Sequence, residues 1–156
     1  MKRIFLALTV CFLLPSCGLF GSDGDGRCDD GREGLFIQTD RDAYQVGEEA
    51  TLAVENCTGS PLYVEKNYTV PPDYHIEKQV AGEWRLASAR ESPSFRTVKV
   101  ELGDRAEFAL PVEPYEDFLD SIPGTYRYEL DIYAGQQVED KLPKEERVSN
   151  TFEITE

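Results

Sequence analysis

Residues 122–133, IPGTYRYELDIY, decide the fold class. After the turn-forming pair Pro123-Gly124, apolar and aromatic side chains recur at every second position. This period of two is typical of a β-strand with one face toward a core, because successive side chains of a strand point to opposite sides. The set predicted to face the core is Tyr126, Tyr128, Leu130 and Ile132, and the outward set is Arg127, Glu129, Asp131 and Tyr133.

The same alternation recurs along the chain from residue 35 onward. The inward sets are Leu52 and Val54; Val98, Val100 and Leu102; Ala106, Phe108, Leu110 and Val112; and Phe152 and Ile154. Turn residues separate these runs, and no segment has a strong amphipathic helical pattern. KLPKEERVSN is a mixed-charge connection before the last strand. We therefore expect an all-β, antiparallel sandwich of about seven to nine strands over residues 34–156.

Two local signatures sharpen this expectation. Tyr126 directly follows a turn, which favours a tyrosine corner in which the phenol hydroxyl donates to a nearby backbone carbonyl. HIEKQVAGEWRLAS predicts a hairpin turning at Ala81-Gly82, with Trp84 and Leu86 facing inward. The alternative for Trp84 is an exposed platform for a ligand.

Several of these stretches together resemble a bacterial Ig-like domain found in secreted proteins and lipoproteins. The resemblance covers about residues 35–155. The matching residues are Tyr44, Gly47, Glu48, Asn56, Glu77, Lys78, Gly82, Trp84, Pro123, Gly124, Tyr126 and Arg127. A more distant similarity is to the sandwich domain of an intracellular bacterial proteinase inhibitor. The resemblance implies an Ig-like sandwich and brings no catalytic residue with it.

The first sixteen residues have the parts of a secretion signal. Lys2 and Arg3 precede an apolar run of 11 residues, Ile4 to Leu14, which is shorter than the roughly 20 residues that span a bilayer. Leu14-Pro15-Ser16-Cys17 resembles a bacterial lipobox, which implies cleavage before Cys17 and attachment of diacylglycerol and a fatty acyl chain such as palmitate. Where the cell has two membranes, Gly18 favours the outer one. The alternative is an ordinary secretory signal with an incidental cysteine.

Residues 17–33 predict a flexible acidic linker between the lipid and the sandwich. The run DGDGRCDDGRE looks like a calcium loop, but Arg27 stands where the third carboxylate ligand is needed, so we expect no metal. Cys28 and Cys57 remain after Cys17 is lipidated, and two cysteines in an oxidising compartment suggest one disulfide. A free thiol or an intermolecular pair are the alternatives.

Charge and motifs exclude several function classes. The chain has 30 acidic and 16 basic side chains, and loss of Lys2 and Arg3 with the signal peptide leaves a net charge of −16. Such a surface repels phosphate backbones, so nucleic acid is not an expected partner. His75 is the only histidine and is expected at the surface, and no nucleophile, zinc or phosphate-loop motif is present. We expect no catalytic residue and no cofactor.

The sequence therefore predicts a membrane-anchored, non-enzymatic Ig-like lipoprotein that binds an envelope protein or a polymer such as a glycan. A proteinase inhibitor presented at the surface is one alternative, with NYTVPPDY or EPYEDFLDSIPG as the inhibitory loop. A carbohydrate-binding module is another. The candidate ligand-binding residues are Tyr68, Tyr74 and Trp84.

Overall fold

Alternating apolar and polar side chains organise the chain into the β-sandwich that the sequence predicts. The computed structural model describes residue 28 and residues 31–66, 72–90, 98–115 and 122–155. Within them the strands are β1 Gly34–Thr39, β2 Ala43–Gln45, β3 Glu49–Cys57, β4 Tyr63–Lys66, β5 Tyr74–Val80, β6 Glu83–Arg90, β7 Val98–Glu101, β8 Arg105–Pro111, β9 Gly124–Leu130, β10 Ile132–Tyr133 and β11 Phe152–Thr155. Two 3-10 turns cover Val138–Asp140 and Lys144–Glu146.

The described strands form three sheets. The five-stranded sheet has the order β2-β11-β9-β5-β6, and the two three-stranded sheets have the orders β1-β3-β8 and β10-β4-β7. Among the described strands every pair is antiparallel except β2 with β11, which is parallel. The described strands number eleven rather than seven to nine because β2 and β10 have only three and two residues, too short to show a period.

The core lies between the sheets and is rich in tyrosine. Tyr126, Tyr128 and Leu130 are fully buried, as the alternation in β9 predicts. The ring of Phe152 stacks on that of Tyr128 with centroids 5.2 Å apart and meets the ring of Tyr44 edge-on at 5.3 Å. Such aromatic pairs add stabilisation beyond the area they bury. The prediction that Glu129 and Tyr133 face solvent is wrong, because both side chains are buried.

The predicted tyrosine corner is confirmed. The hydroxyl of Tyr126 donates to the backbone carbonyl of Ile122, four residues earlier. Burial raises the pKa of Tyr126 to about 12, so the phenol keeps its proton at neutral pH. Gly124, between the two, has a φ of +149°, and a Cβ there would lie 2.8 Å from the Cε of Lys78. L residues rarely adopt this φ, and a side chain at position 124 would also have to displace the end of the Lys78 side chain, which explains the glycine.

Four residues predicted to face inward do not do so. Trp84 and Leu86 lie on the outer side of β6, because a register shift between Ile76 and Glu77 changes the alternation in β6 and leaves Ala87 buried. Val98 and Val100 are exposed, since they belong to β7, which pairs with β4 alone among the described strands. A periodic pattern gives the side of a strand on which a residue lies, but it does not show whether anything covers that side.

Cys28 and Cys57 form the expected disulfide, with Cα atoms 5.4 Å apart. The bond joins the predicted linker to the last residue of β3. The predicted signal peptide and Cys17 lie outside the described residues, as does most of the linker. The described part of the chain contains no helix that is both long and apolar enough to cross a membrane.

Breaking the disulfide should destabilise the sandwich. The bond closes a loop between cysteines 29 positions apart, so Cys28→Ser should lower the free energy of unfolding by about 3–4 kcal/mol. Urea denaturation measures the change. Reductant should lower the stability of the unmodified protein by the same amount and leave Cys28→Ser unchanged. Reaction of Cys28 and Cys57 with a thiol reagent in the freshly isolated protein, located by peptide mass spectrometry, would contradict the bond.

Candidate functional site

The strand register places a distinctive set of side chains on the outer side of the five-stranded sheet. Glu77 of β5 pairs with Leu86 of β6 and with Arg127 of β9, while Gln79 pairs with Trp84. Directly paired residues of antiparallel strands project from the same side of the sheet. Ile76, next to Glu77, is fully buried in the core, so Glu77 and its partners face away from it. We call the surface formed by Gln79, Trp84, Leu86 and Arg127 the Trp84 face.

Arg127 links the Trp84 ring to a buried carboxylate. Its guanidinium carbon lies 4.2 Å from the centre of the Trp84 ring. Its Nε and Nη2 atoms lie 2.9 and 2.8 Å from Oε2 of Glu77, whose side chain is 4% exposed. Burying a carboxylate without a charged partner costs free energy, and this cost keeps Arg127 paired with Glu77. The cation–π contact then orients the half-buried indole of Trp84 on the sheet surface.

The chain after β10 returns along β9. The backbone N–H of Leu130 donates to the carbonyl of Arg147 at 3.0 Å, and that of Ser149 donates to the carbonyl of Tyr128 at 2.8 Å. Residues 147–149 thereby extend the line of β11, which pairs with the earlier part of β9. This return brings the basic residues of KLPKEERVSN next to the outer side chains of β9.

A network of ion pairs results. Nη1 of Arg147 lies 2.6 Å from Oε1 of Glu129 and 3.2 Å from Oδ1 of Asp131. Nζ of Lys144 lies 3.1 Å from Oε2 of Glu129 and also contacts Oε1 of Glu77. The ion-pair network consists of Glu77, Arg127, Glu129, Asp131, Lys141, Lys144 and Arg147. Every buried side-chain nitrogen or oxygen in the described part of the chain has a hydrogen-bond partner.

Lys144 shows how the network affects titration. Burial on its own lowers the pKa of Lys144, but hydrogen bonds to Glu77 and Glu129 outweigh burial and raise the pKa above its usual value. Because the pKa of Lys144 in the folded state lies above its usual value of 10.5, the charged Lys144 contributes its full stabilisation of the fold at neutral pH. This stabilisation is lost only as the pH rises through the folded-state pKa. Lys144 is thus fully charged at neutral pH.

The structure separates the three predicted ligand-binding residues. Trp84 lies half-buried on the outer side of the sheet, so the prediction that it faces inward is wrong. Tyr74 is buried in the core, with its ring centroid 5.8 Å from that of Tyr128. A ring so placed is not accessible to a ligand, so the prediction that Tyr74 binds one is wrong. Tyr68 lies outside the described residues, together with parts of both predicted inhibitory loops. His75, on the outer side of β5, is half-buried.

Sequence reasoning missed the ion-pair network. Lys144 and Glu77 are 67 positions apart in the chain, and nothing in KLPKEERVSN indicates which carboxylates its cations contact. The network contains no unpaired acid that resembles a catalytic base. Among the described residues, no group of three or more His, Cys, Asp and Glu side chains is placed to hold a metal ion. The groups that the Trp84 face presents are the half-buried indole of Trp84, the exposed side chain of Leu86 and the exposed amide of Gln79.

A second concave surface lies beside the disulfide. This groove, of about 570 Å³, is lined by Cys28, Gly31, Arg32, Glu33, Asn56, Cys57, Gly59 and Asp104. Arg32 forms an ion pair of 3.2 Å with Glu55 at its rim. Neither Tyr74 nor Trp84 lines it.

The chain matches no protein-family model and no curated protein. One similar solved structure is the Pseudomonas fluorescens alkylpurine DNA glycosylase AlkC bound to DNA containing an abasic site analog, at 12% identity and a TM-score of 0.40, over 80% of this chain and 31% of that chain. Another is the beta-glucosidase from Listeria innocua in complex with gluconolactone, at 16% identity and a TM-score of 0.36, over 78% of this chain and 16% of that one. This chain thus spans less than a third of either, and likenesses this distant carry no argument about function.

Removing one carboxylate should show how strongly the network holds the fold. Glu129→Gln removes one of the two carboxylates that Arg147 and Lys144 each contact, so the free energy of unfolding should fall by about 2 kcal/mol, as measured by urea denaturation. Glu83→Gln is the matched control, because Glu83 is an exposed residue 3.7 Å from Arg85. It should change stability by less than about 0.5 kcal/mol. Equal effects of the two substitutions would contradict a structural role for the network.

Proposed function

We propose that the protein is exported, cleaved before Cys17 and held at the envelope membrane by lipid on that cysteine, with the sandwich serving as a non-enzymatic binding module. The observation that carries the proposal is Leu14-Pro15-Ser16-Cys17 directly after a charged and then apolar N-terminus. Several acyl chains are needed because a single chain gives only marginal membrane binding. The disulfide between Cys28 and Cys57 supports export, since such bonds persist in oxidising compartments.

The disulfide also defines how far the sandwich can stand from the membrane. From Cys17 the chain reaches Cys28 in eleven residue steps, and Cys28 is bonded to the sandwich at Cys57. An extended chain of that length spans at most about 40 Å. A partner of the anchored protein must therefore lie close to the membrane surface, within the envelope.

The Trp84 face supports a binding role. Trp84 is a large aromatic residue whose ring is already oriented by Arg127, and Leu86 beside it is exposed. Rigid aromatic side chains contribute strongly to recognition because little conformational freedom is lost on contact. An envelope protein is the first candidate partner. A glycan polymer is the second, because a sugar ring can stack on an indole.

Fatty-acid labelling tests the anchor. Cells expressing the full chain are fed an alkyne fatty acid, and the protein is isolated and separated into membrane and soluble fractions. We expect label and membrane association for the unmodified protein and for Cys11→Ala, because Cys11 lies in the segment that is removed. Cys17→Ala should carry no label and leave the membrane fraction. Label on Cys17→Ala, or an unlabelled unmodified protein, would contradict the proposal.

A further inference from the structure

We propose that β8 is a free sheet edge at which the sandwich binds an extended peptide segment of a partner protein as an added β-strand. The inference rests on the proposed binding function and assigns it a second surface, separate from the Trp84 face. β8 lies at the edge of the sheet β1-β3-β8, and among the described strands it pairs with β3 alone. It runs over seven residues, Arg105–Pro111, which is long enough to accept a partner strand.

The backbone groups of β8 point alternately toward β3 and toward the free edge. Just before β8, the carbonyl of Asp104 accepts from the N–H of Asn56, and just after it the N–H of Val112 donates to the carbonyl of Glu48. The register with β3 is constant between these two bonds, so the even-numbered residues of β8 point toward β3 and the odd-numbered residues point away from it. The edge therefore presents the N–H and C=O groups of Arg105, Glu107 and Ala109. Groups at this spacing match the backbone of another extended chain.

Two other edges of the sandwich are closed by the chain itself. At β1, the carbonyl of Ile37 accepts from the N–H of Asn150, and the side-chain oxygen of Asn150 accepts from the N–H of Thr39. At β6, the carbonyl of Ala87 accepts from the N–H of Tyr115. In the described part of the chain no such contact reaches the outward backbone groups of β8. These groups are therefore available to a partner, whereas those of β1 and β6 are already engaged.

The side chains of β8 suit an added strand. On the outer side Arg105 and Glu107 pair with each other at 2.8 Å, and the exposed Ala109 carries only a methyl group that leaves room for a second backbone. On the inner side Ala106 and Phe108 are half-buried, although the residues of β3 directly opposite them are buried. Apolar side chains of an added strand would cover what remains exposed of Ala106 and Phe108. The partner that fits is an extended segment with apolar residues at every second position.

Amide hydrogen exchange tests whether the edge is free. The full chain in detergent micelles is followed residue by residue by NMR. We expect rapid exchange at the odd-numbered residues of β8 and protection at Ala106, Phe108 and Leu110, because only the second set bonds to β3. Protection of both sets in the protein alone would mean that the edge is covered, and would overturn the inference.

Peptide selection tests what the edge recognises. A displayed library of random peptides of about ten residues is selected on the immobilised full chain. We expect peptides with apolar residues at alternate positions. N-methylation of one alternating set of peptide amides should abolish binding, and N-methylation of the other set should leave it unchanged, because only every second amide of an added strand faces β8. Failure to select any peptide, or equal effects of the two sets, would overturn the inference.

A matched pair of substitutions locates the binding site. Ala109→Pro removes an N–H that faces the edge and keeps the bonds to β3, whereas Ala109→Val keeps that N–H. The affinity for the selected peptides should fall at least about tenfold with Ala109→Pro and stay within about twofold with Ala109→Val and with Trp84→Ala. Circular dichroism checks the fold, and the N-methylated peptides decide the question if Ala109→Pro does not fold.

The outcomes separate this inference from the proposed function. Equal affinities of folded Ala109→Pro and Ala109→Val would overturn strand addition at β8. Binding that is lost with Trp84→Ala instead would also overturn it, but would leave the proposed binding function in place at the Trp84 face. Failure of lipid labelling at Cys17 contradicts the anchor and does not bear on the edge.

Discussion

The outer side of the sandwich depends on one buried carboxylate, that of Glu77. Its side chain is 4% exposed, and a carboxylate so placed is tolerated only beside cations. Arg127 reaches it from β9, and Lys144 reaches it from the turn after β10. One group thereby fixes two different parts of the molecule. Through Arg127 it orients Trp84, and through Lys144 it holds the connection that precedes β11 against the sheet.

β9 connects this outer network to the core. On its inner side Tyr126 and Tyr128 pack in the aromatic core, and Tyr126 also closes the corner at Ile122. On its outer side Arg127 and Glu129 belong to the ion-pair network. Any change in the path of β9 would disturb both sides at once. Arg127, which orients Trp84, is therefore held on a strand that is fixed from both sides.

The parts of the fold that are local in sequence could be predicted. The period of two in β9 gave its inner face, the residues around Pro123-Gly124 gave the tyrosine corner, and the cysteine arithmetic gave the disulfide. Contacts between distant segments could not be predicted. The bulge after Ile76 reversed the expected position of Leu86, and the partners of Lys144 are set by the path of the whole chain. The Trp84 face depends on both, so its position was found only in the structure.

Arg127, held by Glu77, fixes the ring of Trp84. Trp84 is the only tryptophan of the chain, so its fluorescence reports on that ring alone. Time-resolved fluorescence anisotropy measures the motion of the ring directly. We expect a decay governed by tumbling of the whole protein in the unmodified chain and an added nanosecond component in Arg127→Met. Fast local motion of Trp84 in the unmodified protein, or identical decays in both proteins, would contradict this role of Arg127.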